Sequence, residues 1–287
     1  MATPPAILLI ADRNRPDVVE VLDSIGPVLD AHAGQIHSHD IGDDELHPVP
    51  EVQLAIVIGG DGTMIQQARR LLNHSVPIVP INCGRLGFLA SFDPASLADE
   101  AQNIFGGKPS RRRHMILSVD LLRASGEQLT NRVAVNDCVI TAGEPFRMIK
   151  LGLDIEGQGG PVLSGDGLIV ATPTGSTAYN VSAGGPLVAP GVDAMVVTPL
   201  AAHSLGFRSF VVSGDGELVV NIEHANAGTT VITDGNEHWA VEDGDRLRIR
   251  RHERSVEFVT SSNAPYWRVL IDKMRWAAPP TYRDGDV

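Results

Sequence analysis

The stretch that most limits the fold runs from Leu54 to Asn82: "LAIVI", then "GGDGT", then "MIQQARRLL", and after a short polar link "VPIVPIN". Five apolar residues in a row read as a strand buried on both faces, and "MIQQARRLL" reads as an amphipathic helix. The same alternation precedes it. "AILLIAD" is a short apolar strand, and in "RPDVVEVLDSI" Val18, Leu22 and Ile25 recur at helical spacing with Val19 alongside. Strand, helix, strand, helix, strand in this order predicts a parallel sheet flanked by helices. "DPASLADEAQNIFGG" supplies one further helix near the end of this layer.

After "KPSRRRHM" the texture changes. "MILSVDLLR", "LGLDIEG", "DGLIVAT", "SFVVSGDGELVVNI" and "DRLRIRRHERSVEFVT" alternate apolar and polar residues and are joined by Gly-Asp, Asp-Gly and Glu-Gly turns. That pattern predicts antiparallel hairpins. The fold class is therefore α/β, an N-terminal parallel sheet with a second, β-rich antiparallel domain. The boundaries fall at 1–106 plus 265–287 for the first domain, since "APYWRVLIDKMRW" reads as a returning helix, and 107–264 for the second. The segment from Asp30 to Pro50 is polar and turn-rich and reads as a solvated loop. Its His32, His37, His39 and His47 have neither HExxH nor zinc-finger spacing. "SRRRH" reads as a solvated domain junction.

A glycine turn between a strand and a helix usually cradles phosphate, and Asp61 puts a negative charge there. Gly59, Gly60 and Gly62 permit close backbone approach, and the helix that follows offers unpaired N–H groups and a positive dipole end. No Gly-Lys-Ser/Thr follows, so the turn is not a P-loop, and the spacing is not GxGxxG. Two roles stay open for Asp61 on these residues alone. It accepts a proton from an attacking hydroxyl or holds a metal, or else it caps the helix and satisfies orphan N–H groups.

Two other stretches carry chemistry. In "GDGLIVATPTGSTAYNVSAGGPLVAP" a strand runs into a loop rich in hydroxyls and glycines: Thr174, Gly175, Ser176, Thr177, Tyr179 and Ser182. Short hydroxyls and bare N–H groups bind phosphate and sugar oxygens, and Tyr179 adds a flat face. In "VAVNDCVIT", Asn136 and Asp137 pair an amide with a carboxylate, suited to a ribose diol or a base edge, although an Asx turn explains the same pair.

The net charge of −12 over 287 residues repels nucleic acid and anionic membranes, so neither is an expected partner. No apolar run approaches the ~18 residues of a membrane span. The N-terminus lacks the basic region of a signal peptide, and two cysteines, Cys83 and Cys138, make no disulfide framework. The expected location is the cytoplasm. Cys83 reads as a small buried filler, and His203 reads equally as a packed histidine or as one that reaches the site.

Taken together, "GGDGT", "INCGRLGFLASF", "NDCVI", "DGLIVATPTGSTAYNVSAGGPLVAP" and "YWRVLIDKMRW" resemble the NAD kinase family over nearly the whole chain. GGDGT alone is shared with diacylglycerol and sphingosine kinases; "TPTGSTAY" is far more specific. The resemblance implies a Rossmann-like first domain and transfer of phosphate from ATP to the 2′-hydroxyl of the adenosine ribose of NAD, giving NADP. It also implies a divalent cation, expected to be Mg²⁺, and a homodimer or homotetramer with sites near subunit contacts. Polyphosphate is an alternative donor. By this resemblance Asp61 is the proton acceptor and Gly62 lies beside it against the dinucleotide. Phe88 is an apolar wall, Asn136 and Asp137 contact NAD, and Asp166 lies near the adenine amino group. Thr174 and the run Thr177, Ala178, Tyr179, Asn180, Val181 and Ser182 line the dinucleotide, with Arg147, Ser164 and Asn236 as further contacts. No residue is assigned as a metal ligand. Many bacterial members carry Glu where this chain has Asp137, whose side chain is one methylene shorter. The rival readings are a lipid kinase sharing the GGDGT turn and a protein that senses NAD or NADP without turnover.

Overall fold

The structure, a computed structural model, describes residues 3–42, 52–84, 87–263 and 265–275. In chain order the first elements are β1 Ile7–Ala11, α1 Pro16–His32, β2 Ile36–Asp40, β3 Leu54–Ile58, α2 Asp61–Leu71, β4 Ile78–Ile81 and α3 Pro94–Phe105. Then come β5 Arg111–His114, β6 Leu117–Leu122, β7 Gln128–Ala134, β8 Asp137–Thr141, β9 Ile149–Ile155, β10 Gln158–Gly165 and β11 Gly167–Ala171. After a 3-10 turn at Gly175–Thr177 follow α4 Tyr179–Ser182, β12 Ala194–Leu200, β13 Phe210–Ser213, β14 Glu217–His224 and β15 Thr230–Thr233. The chain closes with β16 Glu237–Ala240, β17 Arg246–Arg251, β18 Val256–Val259 and α5 Tyr266–Met274. Two compact units result: residues 1–67, 76–111 and 258–287 in one, 68–75 and 112–257 in the other.

In the first unit β2, β1, β3 and β4 lie side by side and parallel. Every residue of β1, β3 and β4 is buried, as the continuous apolar runs require of strands covered on both faces. On one face Ile7, Leu9, Ile56, Ile58, Val79 and Ile81 pack with Val18, Ile25 and Leu29 of α1 and Leu97, Ala101 and Ile104 of α3. Helix α1 starts with Pro16 in its first turn, where the missing N–H costs nothing. A reciprocal capping box of Asp93 and Ser96 opens α3.

The stretch read as a loop after Asp30 contains a strand. Helix α1 runs on to His32, and β2 pairs with β1 from Ile36 to Asp40. Its Ile-His-Ser-His-Asp sequence hides the strand because it is a sheet edge with no fully buried residue, and a polar edge resists pairing with other chains. His32 stacks on Phe105 at 5.8 Å between ring centroids. His47 lies outside the described residues.

The second unit is two antiparallel sheets, ordered β10-β9-β14-β17-β6-β7 and β13-β12-β11-β8-β15-β16. Their facing sides form one core of Leu117, Val119, Leu151, Val220, Leu247 and Ile249 against Cys138, Ile140, Leu168, Val170, Met195 and Val197. Alternation then puts Val139, Ile169, Ala171 and Val196 on the opposite side of the second sheet, where Ala183 and Val188 cover them. The last predicted hairpin comes apart: β17 stays in the sandwich while β18 joins the parallel sheet, Phe258 opposite Ile78. Val256, Phe258 and Val259 are all buried, which suits a sheet covered on both faces. No helix among the described residues is long and apolar enough to cross a membrane.

Candidate active site

Asp61 is the first residue of α2, yet its carboxylate does not cap that helix. Oδ2 accepts from the backbone N–H of Phe88 at 2.9 Å, and Oδ1 accepts from Leu89 and Ala90 at 3.0 and 3.2 Å. A carboxylate has about four lone-pair sites, so the described residues use three and leave one open, on Oδ2. Gly87 makes this docking possible. A β-carbon there would lie 2.1 Å from Asp61 Oδ1. A β-carbon at Gly60 or Gly62, by contrast, meets no atom within 4 Å, which leaves the turn open to an incoming group. Phe88 is half-buried, with Lys273 Nζ 5.0 Å from its ring centroid.

In the second unit Asn136 sits between β7 and β8, and Asp137 opens β8. Asp234, held in the left-handed region at φ 50°, wraps this corner. Its carboxylate accepts from the N–H groups of Val135, Asn136 and Asp137 at 2.9, 2.7 and 3.2 Å, and its own N–H donates to the Asp137 carbonyl at 3.0 Å. Arg69 Nε lies 4.0 Å from Asp234 and also pairs with Glu237, which Arg132 holds in turn at 3.1 Å. Asp137 is only 5% exposed, and its side chain has no hydrogen-bond partner among the described residues. Burial, then the neighbouring Asp234 carboxylate, pushes its pKa up to about 7. Burial raises Asp234 too, but its three N–H donors and Arg69 oppose that rise. Burial is opposed by donors at Asp234 and unopposed at Asp137, which makes Asp137 the one of the pair that takes a proton near neutrality.

The loop after β11 is built onto the same corner. Thr172 Oγ1 donates to the Val135 carbonyl at 2.6 Å and accepts from the Gly175 N–H at 3.0 Å, while the Thr172 N–H donates to the Asn136 carbonyl at 2.8 Å. Gly175 sits so close that a β-carbon would lie 2.1 Å from that carbonyl oxygen. Thr174 is buried and its hydroxyl bonds His114 Nδ1 at 2.8 Å; Thr177 Oγ1 donates to the Thr174 carbonyl at 3.1 Å. Asn180 is wholly buried and its amide is spent on Ser176, Pro186 and Thr198. Its side chain holds the segment together. Thr177, Ala178 and Val181 are half-buried, and Tyr179 and Ser182 are exposed.

The structure sorts the remaining residues by the ends of the second sheet. Ala171 pairs with Asp137 at one end of β11, and Gly167 pairs with Thr141 and Leu200 at the other. Asn136, Asp137, Thr174 and Asp234 gather at the first end, with the exposed Asn236 just past Asp234. Ser164 and Asp166 belong to the second: the Asp166 N–H donates to Leu200, the Ala142 N–H to Asp166, and the His203 N–H to Ser164. Arg147 follows β8 at that same end, its carbonyl accepting from Asn226 at 2.9 Å. The two groups are one five-residue strand apart, ~14 Å at the usual rise.

Asp234, His114 and Arg69 have no signal in the sequence. Asp234 reads as an ordinary Asp-Gly turn, and His114 falls in the basic run of the junction. A cavity of about 660 Å³ is lined by Arg113, Arg250, Arg251 and Arg254. Asp193, Asp120, Asp215 and Glu253 pair with these arginines, so the cavity has little net positive field. Cys83 is half-buried, with its thiol pKa raised by burial, which suits a filler better than a nucleophile.

Comparison with known proteins agrees along the chain. Residues 45–108 match the family model of the ATP-NAD kinase N-terminal domain and residues 135–261 that of the C-terminal domain. The NAD kinase of Rhodopirellula baltica is 34% identical over 279 residues, covering 96% of this chain and 88% of its own. That of Acinetobacter baylyi is 34% identical, covering 92% and 90%. Among solved structures, yeast NADH kinase complexed with NADH superposes with a TM-score of 0.84 at 20% identity, over 99% of this chain and 91% of that one. An NAD kinase from Archaeoglobus fulgidus in complex with ATP gives 0.73 at 23% identity, over 94% and 98%. The matched halves, in the order of the two units that carry Asp61 and the Asn136–Asp137 corner, show that this chain belongs to the NAD kinase family.

Proposed function

We propose that the chain transfers the γ-phosphoryl group of ATP to the 2′-hydroxyl of the adenosine ribose of NAD, making NADP, with Asp61 as the proton acceptor. The observation that carries this reading is the fixed Asp61 carboxylate. Three backbone donors hold it rigid and leave Oδ2 one open acceptor position beside a glycine turn. The hydroxyl is placed on Oδ2, so that as its oxygen attacks phosphorus the proton passes to Asp61. A carboxylate is a weak base toward an alcohol, so this transfer is late, following O–P bond formation. The negative turn has no lysine to neutralise phosphate. A divalent cation, expected to be Mg²⁺, enters with ATP as its substrate complex, held by phosphate oxygens and water.

Asp137 is the expected contact to a ribose hydroxyl. Its carboxyl is buried without a hydrogen-bond partner among the described residues, and in its protonated form it both donates and accepts. The hydroxyl loop from Thr174 to Ser182 lines the dinucleotide. Arg147, Ser164 and Asp166 lie at the far end of the sheet, and a homodimer or homotetramer resolves that separation, with a neighbouring copy's far end completing each site. Exposed Phe146 at 77% and Leu205 at 88% lie in the connections at that end and supply apolar surface for such a contact.

The test is NADP formation from ATP and NAD by the purified protein and by Asp61→Asn. General-base assistance is worth ~10²–10⁴-fold, so turnover falls by at least ~10²-fold while NAD still binds. Near-wild-type turnover in Asp61→Asn refutes the role.

A further inference from the structure

We propose that His114 is a positioning residue for the dinucleotide: through its hydrogen bond to the Thr174 hydroxyl it holds the Thr174–Ser182 segment in the shape that receives NAD. The inference rests on the NAD-binding reading above and adds to it a residue outside every motif of the sequence.

The other polar anchors of this segment differ in kind. Thr172 and Gly175 tie it to Val135 and Asn136 next door, and Ser176 and Asn180 tie it to itself, to Val188 and Pro186, and to Thr198 of β12. His114 instead ends β5, sixty positions from Thr174. It lies 4% exposed, and Thr174 8%. For a hydroxyl buried to that degree a lost hydrogen bond is costly, which ties the Thr174 side chain to the ring. The Thr174 rotamer is therefore set by where β5 puts the imidazole. The consequence extends along the turn. Thr174 begins the 3-10 turn with helical dihedrals, φ −62° and ψ −50°, and its carbonyl accepts from Thr177 Oγ1. Thr177 in turn precedes Ala178 and the exposed Tyr179, so an error at Thr174 is passed to every residue of the segment that faces a ligand. Burial holds the ring neutral, its pKa lowered to about 3, so the bond persists unchanged across the working pH range.

The experiment compares wild type, His114→Ala, His114→Asn, Thr174→Val and the double variant His114→Ala/Thr174→Val. The readouts are KM for NAD, KM for ATP, kcat, and the Kd for NAD by calorimetry, with the melting temperature reporting folding. His114→Ala and Thr174→Val are each expected to raise KM and Kd for NAD about tenfold, the usual effect of one lost buried hydrogen bond. In His114→Ala, KM for ATP and kcat stay within about twofold. Asn carries a polar atom close to the position of Nδ1, so His114→Asn restores Kd to within about threefold. The double variant is no worse than either single one, because both remove the same bond. Unchanged affinity for NAD in folded His114→Ala overturns the proposal, as do effects that multiply in the double variant. Should His114→Ala fail to fold, His114→Asn and Thr174→Val decide together: unchanged Kd for NAD in folded Thr174→Val overturns the proposal, and so does a His114→Asn protein whose Kd is no closer to wild type than that of Thr174→Val. A wild-type protein that binds no NAD refutes the underlying reading instead, a result distinct from all of these.

Discussion

Asp137 and His114 are buried titratable groups whose shifts have opposite signs, and this leaves a mark on stability. Asp137 titrates near 7 in the folded chain against 3.8 when free, so between about 4 and 7 the folded state holds a proton that the unfolded state has lost. Its contribution is present at low pH and is lost as pH rises through 7. His114 titrates near 3 against 6.5, so between about 3 and 6.5 the unfolded state holds the extra proton. Its contribution is present above 6.5 and is lost as pH falls. Each slope is ~1.4 kcal/mol per pH unit, and between pH 4 and 6.5 the two cancel. Asp137→Asn is expected to expose the histidine, with stability rising from pH 4.5 to 6.5 relative to wild type; His114→Asn exposes the carboxyl, with stability falling. Urea unfolding at three pH values checks both, and parallel slopes in all three proteins show the shifts to be misassigned.

At the scale of elements, the β3–turn–α2 unit and the hydroxyl-rich loop after β11 were legible because each is one continuous stretch whose chemistry is local. What the sequence left dark is long-range. The partners of Asp61 come from 27 to 29 positions away, those of Asp234 from 97 to 99, and that of Thr174 from 60. No spacing rule reaches that far. Strand β2 gives no signal because an exposed edge carries no apolar alternation, and a hairpin pattern says nothing about which sheet receives its second strand, so the destination of β18 is not in the sequence. The Asp61 contact shows what this costs. "CGRLGF" reads as an exit loop, whereas Gly87 is the floor on which the carboxylate rests. Gly87→Ala is expected to push Asp61 off its three donors and lower kcat by ~10²-fold, close to the effect of Asp61→Asn, with the melting temperature little changed. Steady-state kinetics on the two variants checks this. A Gly87→Ala enzyme with normal kcat shows that the docking does not matter for turnover.

At the scale of the molecule, the residues expected to contact the dinucleotide lie at opposite ends of β11. Asn136 and Asp137 lie at one end of the second sheet, and Arg147, Ser164 and Asp166 at the other. In the homodimer proposed above, one copy's near end meets the other's far end, and symmetry repeats that contact at both sites. The arrangement is testable by mixing two crippled chains. Asp137→Ala damages the near end and Asp166→Ala the far end, so each homo-oligomer is expected to lose at least ~90% of its turnover, as loss of a buried hydrogen bond to substrate commonly does. In a mixed dimer one site inherits both lesions and the other inherits neither. Random pairing makes half the dimers mixed and restores half their sites, so co-expression returns about a quarter of wild-type activity. If each site were instead built within one chain, every site in the mixture would carry a lesion, and activity would stay at the average of the two parents.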